Sequence, residues 1–122
     1  MMMKHALFAA LALLPAPAFA SFECTVQQQC GGGTCEAYTG GPFLIEEAGD
    51  VWRVSSDGQV WEGYATTTVE AGGEVSIVLP PQNGMSGLIS IFPSGEMLFT
   101  AHAYGQMAVA ITGSGNCMTE GG

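Results

Sequence analysis

The sequence predicts an all-β domain: a small antiparallel meander, barrel or sandwich, of about eight strands stapled by two disulfides. Three observations carry this. Apolar residues fall in short runs separated by Gly, Pro, Asn and Asp, with turn signals spaced about ten residues apart. No segment shows a helical period, and 18 glycines disfavour long helices. Four cysteines, Cys24, Cys30, Cys35 and Cys117, lie in a chain that opens as an exported one does.

That opening occupies residues 1–20. A short basic start (MMMKH), an apolar stretch (ALFAALALL) and a small-x-small ending at Ala18-Phe19-Ala20 form a Sec-type signal peptide, with cleavage expected between Ala20 and Ser21. Pro15 and Pro17 end the apolar run well short of the ~20 residues a membrane span needs. Glu23 precedes Cys24 where a lipoprotein signal would place a small residue. No second apolar run is long enough to span, so a single β domain over 21–122, without membrane insertion after cleavage, is expected in the periplasm or outside the cell.

Past residue 20 the only Lys or Arg is Arg53, against 11 acidic residues. Such a surface repels phosphate backbones, which argues against nucleic acid. A basic protein would be attracted to it. The acids are spread along the chain with no acidic tail, as expected of a solvated surface.

The cysteine spacing, C-x5-C-x4-C-x81-C, lacks the tight knuckles of a structural zinc site and the C-x-x-C of a redox centre. Disulfides are expected. Cys30–Cys35 would close the GGGT loop while Cys24–Cys117 ties the two ends of the domain, a long-loop bridge contributing about 3–5 kcal/mol. That pairing is favoured, and Cys24–Cys35 with Cys30–Cys117 fits the spacing nearly as well.

In chain order, strands are expected over 22–27, 43–47, 51–55, 59–65, 66–69, 74–79, 88–92, 96–103 and 106–112. The strongest hairpin signal is VWRVSSDGQVWEGY. Asp57-Gly58 suits a two-residue turn in which both positions take positive φ. It sets Val54 against Trp61, Arg53 against Glu62 and Val51 against Tyr64. The only base past residue 20 then faces an acid, a structural role for Arg53. Trp52, Val54, Trp61 and Gly63 share a face, read as core, with an aromatic ligand platform as the other reading. An Ala71-Gly72-Gly73 loop would set Val69 against Val75. Pro80 to Gly87 (PPQNGMSG) reads as a loop from its composition. From Glu96, the residues Met97, Phe99, Ala101 and Ala103 alternate with Leu98, Thr100, His102 and Tyr104. There is no internal repeat or low-complexity linker.

No catalytic set emerges. His102 is the one histidine past residue 20, and no G-x-S-x-G elbow accompanies it. It reads as a hydrogen-bonded, partly buried strand residue. A copper site from Met97, Met107 and His102 would need Met97 and His102 on one face, and the alternation separates them. Glu70 with Glu74, and Glu46, Glu47 and Asp50, read as solvated turn residues rather than as an acid–base pair or a calcium loop. No enzyme activity, cofactor or metal is expected.

FECTV near the start, His102, and GSGNC near the end resemble a group of small exported alphaproteobacterial proteins without assigned function, over most of residues 21–122. More loosely, the layout is similar to that of the bacterial c-type lysozyme inhibitors. That resemblance implies a small periplasmic antiparallel barrel with a disulfide joining cysteines near its ends. In that family an inhibitory loop carries Ser-Gly followed by an aromatic, with a lysine elsewhere. Ser86-Gly87 matches the dipeptide, but Leu88-Ile89-Ser90 follows it, and no lysine lies past residue 20. The reading is therefore an exported non-catalytic binding protein, with a basic protein such as a lytic enzyme as one partner and His102, Ser86 and Gly87 as candidate binding residues. A structural, envelope-associated protein is the alternative. A binding domain should show a deep pocket or a contiguous exposed apolar patch.

Overall fold

The computed structural model describes residues 20–66 and 73–119. The expected signal peptide, the 67–69 part of one expected strand and most of the Ala71-Gly72-Gly73 loop lie outside them. The described residues contain nine strands and no helix: β1 (Ser21–Gly31), β2 (Thr34–Ala37), β3 (Phe43–Ala48), β4 (Val51–Ser56), β5 (Gln59–Ala65), β6 (Val75–Gln82), β7 (Met85–Ile91), β8 (Glu96–Tyr104) and β9 (Ala108–Thr119). All pairings are antiparallel, and β9 returns to pair with β1. Eight strands thus close a barrel in the order β1-β3-β4-β5-β6-β7-β8-β9, and β2 is a ninth strand outside that ring. Between barrel and sandwich, the fold is a barrel. Closure leaves the eight without a free sheet edge.

Register follows local chemistry. Asp57 (φ 50°) and Gly58 (φ 79°) make the two-residue turn, setting Val54 opposite Trp61 and Arg53 opposite Glu62. Arg53 Nη2 lies 3.2 Å from Glu62 Oε2, with both side chains about half exposed. Along β8 the alternation holds: Met97, Phe99 and Ala101 are buried while Leu98, Thr100 and His102 face solvent.

Several expected boundaries change. The Pro80–Gly87 segment is not a loop. Asn83 (φ 50°) and Gly84 (φ 75°) form a second two-residue turn, with β6 running to Gln82 and β7 starting at Met85. Pro80 and Pro81 sit at a register shift between Leu79 and Gln82, where their missing N–H groups remove no ladder bond to β7. Val75 lies opposite Ile91, and β5 meets β6 through Tyr64–Val78 and Ala65–Ile77. Strand β2 was not expected because its four residues are all exposed and carry no alternation. It is held to β1 by register and by Cys30–Cys35, and Tyr38 N then donates to Gln27 O. Strand β9 continues through GSGNC because its glycines face inward. A Cβ on Gly113 would occupy the Phe99 ring, and one on Gly115 would occupy the Thr25 carbonyl.

The disulfides are Cys24–Cys117 and Cys30–Cys35. Cys24 and Cys117 are direct cross-strand partners on the β1–β9 seam that closes the barrel. Two such bonds point to an oxidising environment.

The interior is filled unevenly. Toward the end that holds the β3–β4 and β7–β8 turns, Cys24, Ile45, Trp52, Ile77, Ile91 and Met97 pack tightly, with Phe22 stacked on Trp52 at 6.4 Å. Toward the other end, marked by the Asp57-Gly58 and Asn83-Gly84 turns and by Tyr38, the inward residues of β7 and β8 shrink to Gly87 and Ala101.

Candidate functional site

That shrinkage produces a cavity. An eight-stranded barrel is just wide enough for its own side chains to fill, or to hold one small ligand where they do not. Here about 200 Å³ remains open at the Asp57-Gly58 end. Its walls are chiefly apolar, with Phe43, Val54, Trp61, Leu79, Phe99 and Ile111 among the lining residues and Tyr38 and Met85 toward the rim. The aromatic wall is continuous: Tyr38 meets Phe43 edge-on at 6.2 Å, and Phe43 meets Phe99 at 5.6 Å.

Gln29, Gln59 and Thr100 also line it, and two covered polar atoms lie in its wall. Ser56 is 8% exposed, and its Oγ has no hydrogen-bond partner among the described residues. The indole Nε1 of Trp61 is likewise covered and unpartnered. Both residues line the cavity. They belong to the same hairpin: Ser56 pairs with Gln59 and Val54 with Trp61, so Ser56 and Trp61 occupy successive inward rungs. Alternation forces both side chains to the inner face. A buried donor without a partner costs about 1–3 kcal/mol. Two of them in one cavity form the least satisfied polar region among the described residues.

The charged groups lie elsewhere. Asp57 reaches the rim, where its carboxylate accepts from Gly41 N at 3.2 Å. Arg53 is outside the barrel, paired with Glu62.

The residues singled out from sequence are divided by the barrel wall. Gly87 is on the inner side and lines the cavity. Ser86 and His102 are cross-strand partners on the outer side of β7 and β8. His102 is exposed and makes no hydrogen bond to a described residue, so the expectation of a partly buried, hydrogen-bonded histidine is corrected. It alternates with the buried Ala101 and is turned to solvent by the same pleat. Met97 is fully buried and Met107 is 73% exposed, so the wall separates Met97 from His102. Among the described residues no three His, Cys, Asp or Glu side chains converge as metal ligands. The four cysteines are all consumed by disulfides. Sequence reasoning placed Trp61 on the inner face but missed Ser56 as a site residue. Its signal was present: Ser56 is a polar residue in phase with Trp52 and Val54.

Comparison with family models, with characterised proteins and with solved structures gives no match to this chain.

Proposed function

We propose that this is an exported, non-catalytic binding protein of the periplasm or extracellular space that holds a small ligand in the open end of its barrel. The observation that carries this reading is the apolar cavity with two buried, unpartnered polar atoms in its wall. Pockets for small molecules have this composition: apolar walls and a few placed polar groups. The signal-like opening and the two disulfides support export. Binding is favoured over catalysis because Ser56 is the cavity's one buried hydroxyl nucleophile and His102, the imidazole past residue 20, is on the far side of the wall.

The test is a melting-temperature screen against small neutral aromatic compounds, run beside an Ala101→Met variant. Ala101 lines the cavity and is 4% exposed, so the longer side chain fills the space from β8. The wild type should melt higher with bound compound and the filled variant should not respond. A wild type indifferent to every compound would leave the structural, envelope-associated role in its place.

A second reading, docking of a basic protein on the outer wall, is favoured by one row of residues. Tyr64, Val78 and Leu88 lie side by side across β5, β6 and β7, each at least 39% exposed. On a surface this acidic they would form an apolar centre for a cationic partner. Capture of hen lysozyme by the wild type but not by a Val78→Asp variant would support it; equal or absent capture would count against it.

A further inference from the structure

Resting on the cavity reading above, we propose that the cavity takes a small quaternary ammonium group at its mouth, held by the rings of Tyr38, Phe43, Trp61 and Phe99 and by the Asp57 carboxylate.

Charge points to a cation. Asp57 is the one charged residue lining the cavity, and its side chain is exposed at the rim. The carboxylate accepts from Gly41 N at 3.2 Å and 3.4 Å, one contact to each oxygen. An ionised carboxylate has about four lone-pair positions, so acceptor capacity is left over. The nearest base in the same hairpin, Arg53, is outside the barrel and paired with Glu62. Past residue 20 the sequence sets that single arginine against 11 acidic residues, a surplus that draws cations and repels anions. A carboxylate or phosphate entering the cavity would meet no base in its wall and would be buried unpaired.

The composition of the wall narrows the cation. Four aromatic side chains line the space. Tyr38, Phe43 and Trp61 are only half-buried and retain accessible surface, while Phe99 lies deeper at 9% exposure. Tyr38 meets Phe43 at 88°, and Phe43 is inclined 46° to Phe99. Rings set at such angles do not cover one another's faces as a parallel stack does. A cation within about 6 Å of a ring centre is attracted by the negative face, more strongly where water is excluded.

A primary ammonium brings three N–H donors that need acceptors, and this wall is chiefly apolar. A quaternary ammonium brings none. Its methyl groups pack on apolar side chains while its charge meets the rings and Asp57. Size agrees. A dry cavity of about 150 Å³ takes benzene, so about 200 Å³ takes a branched group of about seven heavy atoms.

The experiment compares three probes that share one branched skeleton of about seven or eight heavy atoms. They are choline, dimethylbutanol (carbon in place of the nitrogen) and dimethylbutanoate (the same carbon skeleton ending in a carboxylate). Calorimetric titration of the protein gives the affinities, and the Trp61 ring resonances report entry. Choline should bind at least about fivefold more tightly than dimethylbutanol and shift the Trp61 ring protons. Dimethylbutanoate should bind at least about tenfold more weakly than choline. Asp57→Asn keeps the turn, because Asn-Gly favours it as Asp-Gly does. It should weaken choline at least about threefold and leave dimethylbutanol within about twofold. Tyr38→Leu, which exchanges a ring for an aliphatic group, should do the same.

Equal affinity for choline and dimethylbutanol would overturn the cation while leaving the cavity as a binding site. Dimethylbutanoate matching choline would overturn it as well. Choline binding that leaves Trp61 unmoved, or that ignores Asp57→Asn, would put the cation on the acidic outer surface and overturn the assignment. If none of the three binds, the cavity reading falls together with this inference.

Discussion

Gln82 stands in for a stretch of backbone opposite Glu62: its Oε1 accepts from Glu62 N at 2.7 Å, and its Nε2 donates to Glu62 O at 2.7 Å. The same Nε2 also donates to Pro80 O at 2.8 Å. The β5–β6 ladder is paired at Tyr64–Val78 and Ala65–Ile77 but stops there, because Pro80 and Pro81 bring no N–H to continue it. The side-chain amide supplies the donor the prolines lack, and its Oε1 takes the Glu62 N–H while Pro80 O accepts from Nε2. Asn83 adds a further stitch, donating from Nδ2 to Val60 O at 2.9 Å. Between these two anchors lies Trp61, so the Gln82 and Asn83 amides hold the backbone on either side of a cavity residue.

Replacing Gln82 by Ala should therefore loosen β5 locally. Exchange of the Glu62 amide should speed at least about fivefold, with Tyr64 unchanged. Residue-resolved hydrogen exchange reads this, and an unchanged Glu62 rate would mean the amide pairing carries no stability.

The two disulfides should contribute unequally. Cys24–Cys117 spans a sequence separation of 93, whereas Cys30–Cys35 spans 5. Loop-closure entropy then assigns about 4–5 kcal/mol to the first and about 2 kcal/mol to the second. Urea unfolding of the two paired Cys→Ala variants should show that order, and equal losses would contradict it.

Without ligand, Ser56→Ala should stabilise the protein by about 1 kcal/mol, because it deletes a buried hydroxyl that has no partner. A loss of that size in urea unfolding would show that the hydroxyl is satisfied in solution.

Two glycines separate close approach from backbone conformation. At Gly115 an added methyl meets the Thr25 carbonyl, which belongs to the barrel-closing seam and cannot swing aside. Gly115→Ala should cost about 3 kcal/mol or more. At Gly32 the space is open and φ is +61°, so Gly32→Ala should cost only the left-handed penalty of about 1–2 kcal/mol. Thermal melts of the pair test the ranking.

The Arg53–Glu62 pair should matter little despite its geometry. Both side chains are about half exposed. Arg53→Met should cost under about 1 kcal/mol, shrinking further in high salt. A larger loss would mean the arginine stem packs on its neighbours.

Sequence reasoning reached furthest where structure is local. Asp57-Gly58 both favours its turn and dictates the register of the strands beside it, which is why Val54–Trp61 and Arg53–Glu62 were legible in advance. It failed where composition and contact disagree. PPQNG reads as loop because prolines and glycine usually mark one, yet Gln82 and Asn83 side chains make it part of the sheet. The last expected strand ended at residue 112, before Gly113 and Gly115, but Phe99 and Thr25 occupy the places their side chains would take and β9 runs on.

Alternation and turn chemistry along the chain settle the strands, their antiparallel order and which face of each turns inward, because those preferences act between near neighbours. Whether the sheet closes, which cysteine meets which, and whether the interior is full depend on all eight walls at once. The lumen is a fixed volume, and only the sum of inward side chains across β1, β3 to β9 decides what remains. Gly87 and Ala101 are unremarkable in isolation. Set opposite Ser56 and Trp61 across a closed barrel, they leave the space in which two donors go unmet.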